Sequence, residues 1–138
     1  MKYLKYFETY QEYSEFQPLW DKLLSIGGIR IDKRYEEDYD KLMKRGELFN
    51  SKVNLVEMSS SKCHRNCADY WKDSNEVSGY MSYQIATGWA LHGDTWEQHS
   101  WIYDYDYSVI IETTMQRDVY FGYVLNDVET AEFVFDNN

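Results

Sequence analysis

The stretch that decides the fold is residues 96–114, which read WEQHSWIYDYDYSVIIETT. Aromatic and β-branched residues dominate both halves of this stretch, as is typical of strands. The Asp-Tyr-Asp sequence at 104–106 between them has the chemistry of a turn. The pattern therefore predicts two neighbouring antiparallel strands, Trp96 to Tyr105 and Ser108 to Thr114.

Other segments extend the predicted sheet, and turn residues such as Gly93-Asp94 separate them. Their composition resembles that of residues 96–114. These segments are Val53 to Val56, Ser78 to Ile85, Trp89 to Leu91 and Val119 to Leu125. We expect an antiparallel sheet of about 4–5 strands.

Helical spacing characterises the N-terminal part. Apolar residues recur at Tyr3, Phe7, Tyr10 and Tyr13, then at Leu19, Leu23 and Leu24 after Pro18, before Gly27-Gly28. Two short helices meeting at the proline fit this pattern. A further helix is predicted from Arg34 to Arg45, ending at Gly46, with Glu36-Glu37-Asp38 as a solvated face.

Two more helices are predicted around and after the sheet. Serines at 59–61 are suitable N-caps, so one helix starts at Ser60 or Ser61 and runs through Trp71, with Cys63 in its first turn. Asn126 and Glu129 have the spacing of a capping box that opens a short C-terminal helix through Phe135. The fold class is therefore α+β, with a cysteine-bearing helix packed on the sheet.

Length and composition favour a single domain over residues 1–138, with a helical part over 1–50 and a helix and antiparallel sheet core over 51–138. The formal net charge of −10 argues against nucleic acid or an anionic membrane as the main partner, and leaves a basic protein partner open. No apolar stretch reaches the length of a membrane span and no secretory signal is visible, so we expect a cytoplasmic protein with reduced thiols.

The residues that can carry chemistry are Cys63, His99 and Glu112. The first turn of a helix favours a thiolate through free backbone N–H groups and the helix dipole. An imidazole nearby would complete the activation, and a carboxylate on its other nitrogen would orient the ring. His99 and Glu112 lie on neighbouring predicted strands and meet if the register brings their faces together.

This order of residues resembles the transglutaminase-like and NlpC-type branches of the papain-like cysteine hydrolases. The stretch Glu97-Gln98-His99-Ser100-Trp101 is similar to the His-Ala-Trp strand start of transglutaminase-like domains, and Ile111-Glu112-Thr113-Thr114 stands in the place of their Asp-Pro-Thr. The resemblance covers roughly 59–114. Its third residue is Glu112 instead of the usual Asp or Asn, and the Gly-Trp or Cys-Trp context of the cysteine is absent.

The resemblance implies a papain-like hydrolase or acyl transferase that cleaves an amide, peptide, isopeptide or thioester bond without a metal or organic cofactor. Cys63 would attack the carbonyl, His99 would carry the proton and Glu112 would orient His99. The Cys63 backbone N–H, helped by Asn66, Gln98 or Gln84, would hold the oxyanion. Loops at 74–78, 86–95 and 114–118 would select the substrate.

Other interpretations of the same residues remain open. Cys63 and Cys67 can be small buried residues, with Cys67 the better core candidate or a resolving thiol, and His99 can be a hydrogen-bonded core histidine. Arg117 can pair with Glu112 as a structural ion pair. His64 and His92 fit the surface, although with the two cysteines and His99 they also offer zinc ligands.

A non-enzymatic function is the main alternative. A small acidic, tyrosine-rich protein can bind and block a basic partner, as immunity proteins and phage inhibitors of bacterial defence do. Seven tyrosines are candidates for a groove or interface, with sheet packing as the simpler role. They are Tyr80, Tyr83, Tyr103, Tyr105, Tyr107, Tyr120 and Tyr123.

Overall fold

The computed structural model describes residues 13–79 and 81–137, and within them four α-helices pack with a mixed, seven-stranded sheet. The helices are α1 (Gln17–Ile26), α2 (Tyr39–Arg45), α3 (Cys63–Asp73) and α4 (Asp127–Asp136). The strands are β1 (Arg30–Ile31), β2 (Glu47–Leu48), β3 (Lys52–Leu55), β4 (Tyr83–His92), β5 (Thr95–Asp104), β6 (Val109–Glu112) and β7 (Val119–Val124). A 3-10 turn (Ser14–Phe16) precedes α1, and a π-helical turn (Ser74–Ser78) continues α3. The class is α+β, as the sequence predicts.

The sheet is larger than predicted and is not purely antiparallel. Its order is β2-β7-β4-β5-β6-β3, and the antiparallel strands β7, β4, β5 and β6 form its centre. β3 pairs with β6 in parallel, and β1 pairs with β5 in parallel. The prediction of four to five antiparallel strands was wrong because β1 and β2 are two residues long, too short to show a periodic pattern.

One edge of β5 is only partly covered. β4 pairs with all ten residues of β5 along one edge. The opposite edge is shared by β1, which pairs at residues 95–96, and β6, which pairs at residues 102–104. Within the described residues, positions 97–101 of that edge have no strand partner. This gap lets groups from the two faces of the sheet approach each other.

The larger core lies on the face covered by α1 and α3. Leu19, Trp20 and Leu23 of α1 are fully or almost fully buried, and the Trp20 ring packs edge-on against Trp89 at 5.2 Å. Cys67 of α3 belongs to the same cluster. Burying one large apolar side chain contributes about 1.5–3 kcal/mol, so this cluster anchors both helices to the sheet.

A second, smaller cluster lies on the opposite face, around Trp101, Ile110 and Tyr120. The Trp101 ring requires a glycine beneath it, because a Cβ at Gly122 would lie 2.8 Å from its Cη2 and 2.2 Å from the Thr87 carbonyl oxygen. Strands β4 and β7 can therefore approach each other closely at this point. This cluster supports the face on which His99 lies.

The predicted helix from Arg34 to Arg45 begins only at Tyr39, although it ends before Gly46 as expected. The cause is Glu36, which is 6% exposed and not part of a solvated face. Its carboxylate accepts hydrogen bonds from the Trp89 indole at 2.8 Å and from the backbone N–H of Asp38 at 3.0 Å. Because the Glu36 side chain is buried and hydrogen-bonded, it holds residues 32–38 in a non-helical conformation.

The predicted break between Ile85 and Trp89 is also wrong, because β4 runs unbroken from Tyr83 to His92. The small residues there are needed for close strand packing, since a Cβ on Gly88 would lie 2.2 Å from the Phe121 carbonyl oxygen. Most of the proposed substrate loop 86–95 is therefore buried strand. Residues 74–78 continue α3, so β4 starts later than the predicted Ser78.

Several elements agree with the predictions. α1 begins beside Pro18 and ends before Gly27, while the predicted helix before it lies mostly in residues 1–12, outside the described residues. The capping box is present, with the Asn126 side chain accepting from the Glu129 N–H and Glu129 accepting in return. None of the described helices is long and apolar enough to cross a membrane.

Candidate functional site

The thiol of Cys63 lies at the first residue of α3. Lys62 is the N-cap and supplies no side-chain hydrogen bond, and the first backbone bond back to its carbonyl comes from the Asn66 N–H. The N–H groups of the first three helical residues therefore have no partner within the helix. They and the helix dipole favour negative charge at Cys63.

The structure brings His99 and Glu112 together across the second face of the sheet. The His99 Nε2 atom lies 2.7 Å from the Glu112 Oε1 atom, and the two side chains are 1% and 0% exposed. The Trp101 ring stacks on the imidazole at 6.2 Å and an interplanar angle of 25°. The sequence left the strand register open, and the observed register brings the His99 and Glu112 side chains into contact.

Glu112 is held by more than the histidine. Its Oε1 also accepts a hydrogen bond from the Tyr120 hydroxyl at 2.7 Å, and its Oε2 accepts from the N–H and the hydroxyl of Thr114, each at 3.0 Å. Burial alone would raise the pKa of Glu112, but the hydrogen bonds, led by His99, outweigh it and lower the pKa. A buried carboxylate with this many donors stays ionised.

Arg117 is not the partner of Glu112, contrary to the ion pair considered from the sequence. Its Nη1 lies 3.5 Å from a carboxylate oxygen of Glu97, and its Nε donates to the Met115 carbonyl at 3.1 Å. The Arg117 backbone N–H donates to the Tyr120 hydroxyl at 3.2 Å. Tyr120 therefore joins the 114–118 loop to the carboxylate behind His99.

The thiol of Cys63 interacts with two imidazoles, those of His64 and His99. Burial opposes ionisation of the thiol, but the hydrogen bonds to His64 and His99 lower its pKa from 9.0 to about 5. The bond to Cys63 raises the pKa of His64. For His99, burial lowers the pKa, yet Cys63 and Glu112 together raise it. The thiol is therefore ionised at neutral pH, and both imidazoles have a pKa above the usual value.

His64 is the residue that the sequence reasoning missed. It is solvent-exposed, as expected, but its Nδ1 lies 2.6 Å from the hydroxyl of the buried Ser100. The Ser100 hydroxyl lies 2.9 Å from the Thr87 hydroxyl. The signal in the sequence was the position of His64 directly after Cys63, which puts its ring at the same helix start as the thiol.

Two cavities adjoin the site, one beside the Cys63 thiol and one beside His64. One, of about 370 Å³, is lined by Ser60, Ser61, Cys63 and His99 together with the 114–118 loop. The other, of about 340 Å³, contains His64. Its acidic rim includes Glu37, Asp38 and Asp136. Gln98 lines both cavities and marks the boundary between them.

The three side chains considered as oxyanion donors lie in different places. Gln98 lines both cavities, and its Nε2 already donates one hydrogen bond to the Tyr35 carbonyl at 2.9 Å. Asn66 is 2% exposed and donates to the Ser59 carbonyl at 2.7 Å, so it fixes the turn before α3. Gln84 pairs with Tyr103, four residues along β4 from the pair that contains His99, or about 13 Å away.

The second cysteine and the tyrosines have simpler roles. Cys67 is fully buried, and burial raises the pKa of its thiol; both cysteines are free. Of the tyrosines considered for a groove or interface, Tyr120 and Tyr123 are buried while Tyr105 and Tyr107 are exposed. Tyr80 lies outside the described residues.

No group of three or more His, Cys, Asp or Glu side chains that could hold a metal ion occurs in the part of the chain that the structure describes. Comparisons with protein-family models, with curated proteins and with solved structures gave no match.

Proposed function

We propose that this protein is a cysteine-dependent hydrolase or acyl transferase with a papain-like site, acting on an amide, isopeptide or thioester bond. The observation that carries the proposal is the contact chain from Cys63 through His99 to Glu112. Its last link is 2.7 Å long and fully buried. A core histidine needs neither an ionised carboxylate behind it nor a helix-terminal thiol in front of it.

The reaction begins with attack of the Cys63 thiolate on the carbonyl carbon of the substrate. The carbonyl oxygen becomes an oxyanion, which the backbone N–H of Cys63 can stabilise, whereas the Gln98 amide already binds Tyr35 and Glu36. The tetrahedral intermediate collapses as the bond to the leaving nitrogen or sulfur breaks. Water or an acceptor amine then attacks the thioester and releases the thiol.

Glu112 fixes the state of His99 throughout this cycle. Because the carboxylate accepts from Nε2–H, the lone pair of a neutral His99 lies on Nδ1, the nitrogen left to face the sulfur. The carboxylate also stabilises the imidazolium once it forms. We place the protein in the cytoplasm, where a thiol with a low pKa stays reduced.

The test uses Cys67 as an internal reference. At pH 6, iodoacetamide should alkylate Cys63 much faster than Cys67, and p-nitrophenyl acetate should leave an acetyl group on Cys63 that intact-mass analysis detects. The Cys63→Ser variant should lose acetylation at that position. Because burial alone protects Cys67, the decisive comparison is with a small free thiol: alkylation of Cys63 at pH 6 no faster than that of N-acetylcysteine would rule out an activated thiolate and with it this function.

The alternative function, an acidic protein that binds and blocks a basic partner, has its own supporting observation. Glu37, Asp38 and Asp136 line one side of a cavity that a cationic side chain can enter. The two functions respond differently to one substitution, since Cys63→Ala removes the nucleophile and leaves the acidic surface intact. A basic partner held by charge should also dissociate at high salt, whereas catalysis through Cys63 should survive it.

A further inference from the structure

The two imidazoles beside Cys63 differ in their access to substrate. His99 is 1% exposed, and its Nε2 is occupied by Glu112 while its other side faces the thiol. His64 is exposed and lines the cavity on the other side of Gln98. A group departing into that cavity meets His64 and not His99.

Hydroxyl groups determine which nitrogen of His64 is free. The Thr87 hydroxyl lies 3.5 Å from the His99 carbonyl oxygen, and we assign its proton to that oxygen. The Ser100 hydroxyl, 2.9 Å away, then donates to the Thr87 oxygen and accepts from Nδ1–H of His64 at 2.6 Å. This orientation leaves Nε2 as the nitrogen of His64 that gains and loses a proton.

We propose that His64 is a second catalytic imidazole, which protonates the leaving group through Nε2 while His99 and Glu112 maintain the thiolate. The proposal rests on the proposed function and specifies its substrate as one whose leaving atom must gain a proton, namely an amine. The departing amine would enter the cavity that contains His64.

For an amide substrate, the step conserves protons and electron pairs. The Cys63 sulfur donates an electron pair to the carbonyl carbon and forms the C–S bond. The C–N bond breaks, its electron pair stays on nitrogen, and the nitrogen takes the proton from Nε2 of His64. Neutral His64 then accepts a proton from the water or amine that attacks the thioester, which restores the imidazolium.

Several charged groups face His64 and set its protonation. The thiolate of Cys63 and the carboxylate of Glu36 favour the imidazolium, and the His99 ring opposes it. Glu37, Asp38 and Asp136 line the same cavity from the 32–38 segment and from α4. The Phe133 ring of α4 lies edge-on to the imidazole at 5.7 Å. The hydrogen bond to Cys63 is the largest of these influences, and it outweighs burial, so the pKa of His64 is raised.

The experiment compares two thiol reagents, of which only one has a leaving group that takes up a proton. With iodoacetamide, the C–S bond forms and iodide leaves without a proton. With 2,2′-dithiodipyridine, the Cys63 sulfur forms a disulfide and 2-thiopyridone leaves with a proton gained on its ring nitrogen. The ratio of the two rate constants isolates proton donation from thiolate formation.

We expect His64→Gln to lower the ratio of the dithiodipyridine rate to the iodoacetamide rate by about tenfold at pH 7, since general acids contribute at least this much. Ser100→Ala should lower the same ratio in part, because His64 loses its orientation. His92→Gln, at an exposed histidine on the end of β4, should leave the ratio unchanged. A ratio that stays constant in His64→Gln would overturn the proposal.

The tautomer can be measured without any variant, because the chain has 3 histidines. In ¹⁵N-detected ring spectra, His64 should remain protonated on Nδ1 and titrate on Nε2, and blocking Cys63 with methyl methanethiosulfonate should lower its pKa. Titration on Nδ1 would contradict the assignment. If Cys63 is alkylated rapidly at pH 6 but the rate ratio and the His64 titration are not as expected, only the role of His64 is wrong. If Cys63 is unreactive, the proposed function is wrong as well.

Discussion

Replacement of Glu112 by Gln tests the link between the buried carboxylate and the thiol. Both carboxylate oxygens of Glu112 receive two hydrogen bonds each, from His99 and Tyr120 on one side and from Thr114 on the other. The amide group of Gln places an NH₂ at one of these positions, where it meets two donors. If the amide oxygen of the Gln side chain faces Thr114, its NH₂ group faces Nε2 of His99.

His99 then has to present its lone pair at Nε2 and its N–H at Nδ1, towards Cys63. In that tautomer it cannot take the thiol proton. A thiol with a pKa of about 5 is almost fully ionised at pH 7, whereas one at the ordinary 9.0 is about 1% ionised, so the alkylation rate can fall by up to about a hundredfold. His64 still contacts the sulfur, so the expected loss lies below this limit.

The assay is the rate of Cys63 alkylation by iodoacetamide between pH 4 and pH 10, read by mass spectrometry. The midpoint of this profile is the better readout, because a thiolate of low pKa is intrinsically less nucleophilic. Glu132→Gln, at an exposed position of α4, is the matched control. If the profile of Glu112→Gln superimposes on that of the wild type, His99 does not depend on Glu112 and the reasoning fails.

The same variant should be less stable, by about 1–3 kcal/mol, because a buried donor is left facing other donors. The difference in stability between the variant and the wild type depends on pH. The pKa of Glu112 is lowered by folding, so its contribution is present above its ordinary value of 4.5 and is lost as the pH falls through the lower folded value. Urea unfolding should therefore show a smaller gap between the variant and the wild type at pH 3 than at pH 6.

Three further predictions concern the surroundings of the site and the end of the chain. Tyr120→Phe removes a donor to Glu112, so we expect a loss of about 0.5–1.5 kcal/mol in urea unfolding and a small rise in the pKa of the Cys63 thiol. Iodoacetamide should label Cys67 only after unfolding, because Cys67 is fully buried; labelling in the native protein would contradict the packing of α3. Asn126→Ala should cost about 1 kcal/mol in urea unfolding through loss of the cap on α4.

Which parts of the fold were predictable depends on the length of each pattern. The hairpin of β5 and β6, α1 and the capping box of α4 all follow from local residues and were predicted within a few positions. β1 and β2 were not, because two residues carry no periodicity and exist as strands only where β5 and β7 provide partners. The delayed start of α2 likewise depends on Trp89, which is distant in sequence from Glu36.

The candidate site divides in the same way. Cys63 was correctly predicted in the first turn of α3, but the predicted start at Ser60 or Ser61 was wrong, because the helix begins at Cys63 with Lys62 as N-cap. The face shared by His99 and Trp101 was readable from strand alternation. The role of Tyr120 as the donor behind Glu112 was not, since it comes from another strand across the sheet. Arg117 was considered as an alternative partner of Glu112 because it is near in sequence, but in the structure it lies beside Glu97.

By itself the sequence determined that a thiol begins a helix and that an imidazole and a carboxylate follow on adjacent strands, because helix caps and strand alternation are local properties. Only the tertiary structure decided that they meet. The register of β5 against β6, in which Tyr103 lies opposite Ile110, puts the His99 and Glu112 side chains on one face, where they meet, and the gap beside residues 97–101 of β5 lets α3 bring Cys63 to them. The first depends on a strand register and the second on contacts between segments far apart in the chain, and local residue patterns encode neither.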